Sequence, residues 1–279
     1  MHRMRRPDAT PLLIVAAFAL TAGVAIAGRG TPTEKPDPAA RAMADLAQAG
    51  LAPVSGGELA PVCEAFERDL HVAPLLAQSP FKLTLANGPL EGEPLAEPRA
   101  RAALSVVHRE LARYTPDRLH DAGLVRVVLA ADLRESGKLI SSLPNVSGSL
   151  LLDGSVPEAF LARLVHHEVF HFFDFTDQDR PHENDRWTIA NGLFVYGEGG
   201  RSVRSPRASD LSDDMPGFLT RYAMSAVEED KAEVFSFLMT QPEAVRGRAA
   251  TDPVVRAKVE RLGEKLARVA PELASVARL

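Results

Sequence analysis

Residues 167–171 read His-Glu-Val-Phe-His. On an α-helix, positions i and i+4 lie on one face about a turn apart, so two imidazoles can reach one metal ion. Glu168 is rotated away from that face just far enough to reach a water beside the metal, not the metal itself. This is the mechanical content of an HExxH zinc site, with His167 and His171 as ligands and Glu168 as base. The competing reading is a pair of structural histidines on a buried helix. That reading is costly, because each imidazole would need its own polar partner in Phe-rich surroundings. One zinc ion per chain satisfies both at once.

A zinc hydrolase needs a third protein ligand and an open position. Asp177 sits where a metzincin would carry its third ligand. The sharp turn required there is normally made by Gly, and this chain has Asp174. Asp174, still on the helix, is a second candidate. The third source is the later segment 227–235, VEEDKAEVF, with Glu228, Glu229 and Glu233. Glu229 and Glu233 share one helical face, whereas Glu228 points about 100° away. The natural division gives Glu229 to the metal. Glu233 then accepts a hydrogen bond from a ligand imidazole and fixes its tautomer. His166 is expected to face elsewhere, and His182 receives no role. Trp187, Asn191 and Tyr196 lie between the two motifs, as cleft lining or as packing.

The segment 219–222, Leu-Thr-Arg-Tyr, followed by Glu229, Ala232, Glu233 and Phe235, resembles the catalytic domain of anthrax toxin lethal-factor-type metallopeptidases. Those are gluzincin-like enzymes with HExxH on one helix and a Tyr…E-x-x-A-E-x-F arrangement further on. The resemblance covers roughly residues 161–238 and rests on two short motifs. It implies His167, His171 and Glu229 as zinc ligands and Glu168 as general base. It also implies Tyr222 as a phenol that stabilises an oxyanion or donates a proton. The family commonly carries Gly before the second His, where this chain has Phe170. A different packing beneath the helix is therefore expected.

These residues need elements to hold them. Ser155, Pro157 and Glu158 have the form of a capping box that opens a buried helix running to about residue 175. A second helix is expected at 226–240, a third at 253–270 and an earlier one at 99–114. Residues 62–76 carry helical spacing. Residues 51–61, 86–98 and 176–216 read as loops. The β-type runs at 124–130 and 149–153 suggest a small mixed sheet before the active helix. The fold class expected is α+β and zincin-like, with a mainly helical C-terminal part. The stretch 147–153 is the candidate edge strand for pairing with substrate.

At the N-terminus, a basic start, the apolar run 12–27 and the sequence Ala25-Ile26-Ala27 read as an export signal over residues 1–30. The run falls short of the roughly 20 residues that span a membrane comfortably. A membrane association is expected only if this segment is retained. Residues 31–120 read as a linker and helical region, and 121–279 as the metallopeptidase domain. The net charge of −5 argues against nucleic acid as a partner. Cys63 stands alone, which excludes an intrachain disulfide and a Cys-rich zinc cluster; it is expected to be buried. The expectation is an exported, periplasmic or extracellular, peptidase acting on peptide or protein. The alternative is an inactive zincin-like envelope protein that only binds.

Overall fold

The computed structural model describes residues 46–85, 88–146, 148–197 and 208–279. The expected export signal lies outside them. Among the described residues no helix is long and apolar enough to cross a membrane. The fold is mixed α/β with a mixed sheet and a helical C-terminal part.

The sheet is built on β5, Arg126–Glu135, whose first half is a continuous buried run. Such runs suit a strand covered on both faces. On one side β5 pairs parallel with β2, Ala73–Ala77, and β2 pairs antiparallel with β1, Leu51–Ala52. On the other side it pairs parallel with β8, Ser149–Asp153. The last strand on that side is β7, Ser142–Val146, antiparallel to β8 with Ser142 opposite Leu152. At Asp132, where φ is +51°, β5 turns, and its second half pairs with β4, Gly88–Glu93, and with β6, Lys138–Leu139. The strand β3, Phe81–Leu85, closes a hairpin on β4.

Several expectations are corrected. The sheet crosses the boundary placed at residue 120, because β2 lies beside β5 in register Ala73–Arg126. The helix expected over 62–76 is α1, Ala60–Leu70, and it stops where His71 takes a left-handed φ of 55°. The chain then extends into β2. Residues 88–93 form β4 despite their Gly and Pro content. The edge strand is β7, and the expected edge 147–153 instead supplies the interior strand β8.

Helices α2, Glu97–Leu111, and α3, Pro116–Asp121, precede β5. The central helix is α4, Glu158–Thr176. Its cap differs from expectation. The Ser155 side chain and backbone N–H both turn to Asp153 Oδ1, at 2.5 and 2.8 Å, so no capping box forms. Residues from Leu161 to Asp174 on α4 are buried all round, as an apolar helix at the centre of a domain should be. Between β8 and α4 the chain passes so close to α2 and the residues before it that a Cβ on Gly154 would meet Leu95 Cδ1 at 2.5 Å and Ala103 Cβ at 3.2 Å.

Behind α4, the stretch expected as a loop at 176–216 contains α5, Arg180–Ala190. Then come a 3-10 turn at Tyr222–Ser225 and α6, Val227–Thr240. Helix α7, Pro242–Thr251, and α8, Pro253–Val269, complete the C-terminal part. Glu228, Glu229 and Asp230 occupy the first turn of α6, where the helix dipole favours acids. Helices α4 and α6 pack through Phe170 and Phe235, with ring centroids 5.3 Å apart. Phe170 is fully buried at this contact. Cys63 is free and buried on α1.

Candidate metal centre

His167 and His171 project from one face of α4, and Glu229 reaches them from the first turn of α6. His167 Nε2 lies 3.0 Å from Glu229 Oε2 and 3.2 Å from His171 Nε2. His171 Nε2 lies 3.4 Å from the same Glu229 oxygen. These three residues form a group whose ligand atoms converge within metal-binding distance. With zinc–ligand bonds of about 2.0–2.2 Å, tetrahedral ligand atoms stand about 3.3–3.6 Å apart. The triangle is close to that size.

The donor set fits a cation on chemical grounds as well. His167 Nδ1 is 2.9 Å from Glu233 Oε1 and serves as its donor. In the neutral imidazole the lone pair then sits on Nε2, aimed at Glu229 and His171. Lone pairs and a carboxylate converging in a buried space repel one another unless a proton or a metal ion lies among them. The metal-free site takes the proton. Burial would lower the His167 pKa, but hydrogen bonds to Glu229 and Glu233 outweigh it and raise it to about 10. Burial would raise Glu229, but the facing charge of His171 and hydrogen bonds from both imidazoles hold it well below the usual carboxylate range.

Glu233 does not reach the triangle. Its oxygens accept from Arg163 Nη1 at 2.9 and 3.1 Å while Oε1 faces His167. It therefore orients an imidazole, the arrangement expected of a carboxylate behind a metal ligand. Glu168 points toward the edge strand, and its charge still acts on His167 and Tyr222. Its Oε1 accepts from Ser142 Oγ on β7, and its buried Oε2 has no hydrogen-bond partner. The Tyr222 ring lies 5.8 Å from the His167 ring. Burial pushes its phenol pKa well up, and the charges of Glu229, Glu168 and Glu233 and a hydrogen bond to Glu229 add to this.

The rival ligands are engaged elsewhere. Asp174 is held by Lys231 Nζ at 2.6 Å, Lys265 Nζ at 2.9 Å and Arg180 Nε at 3.1 Å. Asp177 accepts from Lys265 and from Arg268 Nη2 at 2.9 Å. Glu228 accepts from Asn184 Nδ2 at 2.9 Å and pairs with Arg180 at 3.2 Å. His166 points away from the triangle, with Nδ1 2.5 Å from Tyr114 Oη and Nε2 3.0 Å from Glu110 Oε2.

Trp187 and Tyr196 are packing residues. Both donate to the buried carboxylate of Asp230, at 2.7 and 2.6 Å, and Lys258 Nζ completes that cluster at 2.6 Å. Asn191 Nδ2 bonds Tyr196 Oη at 2.5 Å. The side chain of His182 lies outside those described. Two residues at the site escaped sequence reasoning. Ser142 sits in a stretch with no motif, and Arg163 reads as one charge in an apolar helix. Comparison with known families, curated proteins and solved structures finds no match to this chain.

Proposed function

We propose that this protein is an exported zinc-dependent metallopeptidase of gluzincin-like type. The observation that carries the reading is the convergence of His167 Nε2, His171 Nε2 and Glu229 Oε2, 3.0–3.4 Å apart, together with the buried Glu168 Oε2, which has no partner among the described residues. A structural histidine pair would leave this buried carboxylate oxygen unexplained.

A bound zinc ion supplies a lowered pKa for water, toward about 7, and polarises a carbonyl. His167, His171 and Glu229 are the residues that hold it. Glu168 Oε2 takes the proton of the attacking water, while the Ser142 hydroxyl keeps the other oxygen occupied and the carboxylate plane fixed. Tyr222 stays protonated far above neutral pH, and its O–H, which bonds Glu229 in the metal-free site, would donate to the developing oxyanion once Glu229 is turned to the metal. Glu168 then returns its proton to the leaving amine.

One feature of the sheet supports a peptide substrate. β7 is paired only on its β8 side among the described residues, and it carries the serine that touches Glu168. An extended peptide adding to β7 would be held by main-chain hydrogen bonds with its scissile bond over the metal site.

The test is Glu168→Gln. The variant should bind zinc as the parent does and lose peptide hydrolysis by about 10²–10⁴-fold. Full activity in that variant would exclude the mechanism.

A further inference from the structure

Arg163 lies one helical turn before His167 on α4 and is buried. A buried guanidinium is costly unless its donors are met, and here both terminal nitrogens have specific targets. Nη1 bonds both oxygens of Glu233, at 2.9 and 3.1 Å. Nη2 donates to the Ser209 carbonyl at 2.9 Å. The guanidinium carbon lies 5.2 Å from the Phe160 ring centre and 4.4 Å from that of Phe237. A planar head held between two rings has little room to swing.

Glu233 Oε1, one of the oxygens so gripped, is the atom that faces His167 Nδ1 at 2.9 Å. The contacts run in series from guanidinium to carboxylate to imidazole, ending at the Nε2 of the metal triangle. The other end of the guanidinium also leads to the site. Ser209 follows Ala208, whose carbonyl accepts the backbone N–H of Tyr222 at 2.8 Å.

We propose that Arg163 is a positioning residue: it fixes the Glu233 carboxylate so that His167 presents its Nε2 lone pair to the metal. It also registers that ligand against the turn carrying Tyr222. The inference rests on reading His167, His171 and Glu229 as metal ligands. Charge alone does not suffice for this role. A lysine supplies a point charge on a flexible stem, without the rigid plane that here ties the Glu233 carboxylate to the Ser209 carbonyl.

The test uses the full chain and zinc itself, with affinity read by chelator competition and geometry read from the visible spectrum of the cobalt-substituted protein. Arg163→Gln is expected to weaken zinc by about 10–100-fold, and Glu233→Gln by a similar factor. Arg163→Lys should recover only part of that loss. In the double variant the penalties should not add, because both residues act through one imidazole. The cobalt bands should shift in each single variant. Should Arg163→Gln not fold, Arg163→Lys decides by the same readings. Zinc affinity within about threefold of the parent, or additive penalties in the double variant, would overturn the proposal. A parent protein that binds no zinc would overturn the metal reading and this inference with it. A parent that binds zinc through His171 while the Arg163 variants match it would overturn this inference alone.

Discussion

If the triangle holds zinc as proposed, zinc and a proton compete for His167, and the contest sets a pH dependence. In the metal-free protein, burial opposes the imidazolium, but Glu229 and Glu233 on either side raise its pKa from 6.5 to about 10. The charged form is thus favoured by the fold. Its contribution to stability is complete below pH 6.5 and is lost as pH rises through about 10. At about 1.4 kcal/mol for each tenfold in proton affinity, the rise from 6.5 to about 10 corresponds to at most about 5 kcal/mol. Removing zinc with a chelator should therefore leave a protein whose urea midpoint falls between about pH 7 and about pH 10. Zinc affinity should move the other way. One proton must leave His167 before its lone pair can bind, so affinity should tighten by about tenfold per pH unit from about pH 7 to about pH 9. Titration calorimetry in two buffers of different ionisation enthalpy counts the protons directly, and at least about one per zinc is expected. Zinc affinity that stays flat over that range, with no proton released in either buffer, would refute the reasoning.

Two further outcomes concern the residues around the triangle. Tyr222→Phe should retain zinc and the fold but lower kcat by about 10²–10³-fold, the usual loss for one oxyanion donor; steady-state kinetics checks this. Lys258→Met strips the buried Asp230 of its cation next to Glu229, and should cost about 3–5 kcal/mol in urea unfolding, because an uncompensated buried charge remains.

The parts of the site that sequence could show are those whose chemistry is local. His167 and His171, and likewise Glu229 and Glu233, sit at helical spacing, so their shared faces follow from the geometry of a helix alone. Arg163 was hidden because its partners, Glu233 and the Ser209 carbonyl, come from distant segments. Ser142 was hidden because nothing in its neighbourhood shows that β7 folds back antiparallel on β8. The fold followed the same rule. The helices bearing the motifs are long, largely buried apolar stretches, whereas α5 is too polar to stand out. The end of α1 is marked by a left-handed histidine, His71, where a glycine would have been a visible stop. β4 carries the Gly and Pro of a loop, yet pairs with β3 on one side and with β5 on the other.

Zinc K-edge X-ray absorption, on the zinc-loaded parent and on Glu229→Ala, addresses the metal centre most directly. The expected parent spectrum is a four-coordinate shell of nitrogen and oxygen at about 2.0–2.2 Å, with the outer-shell pattern of two imidazoles. Glu229→Ala should lose a protein oxygen from that shell and bind zinc more weakly. A sulfur ligand at about 2.3 Å, or a spectrum that Glu229→Ala leaves unchanged, would contradict a centre built from His167, His171 and Glu229.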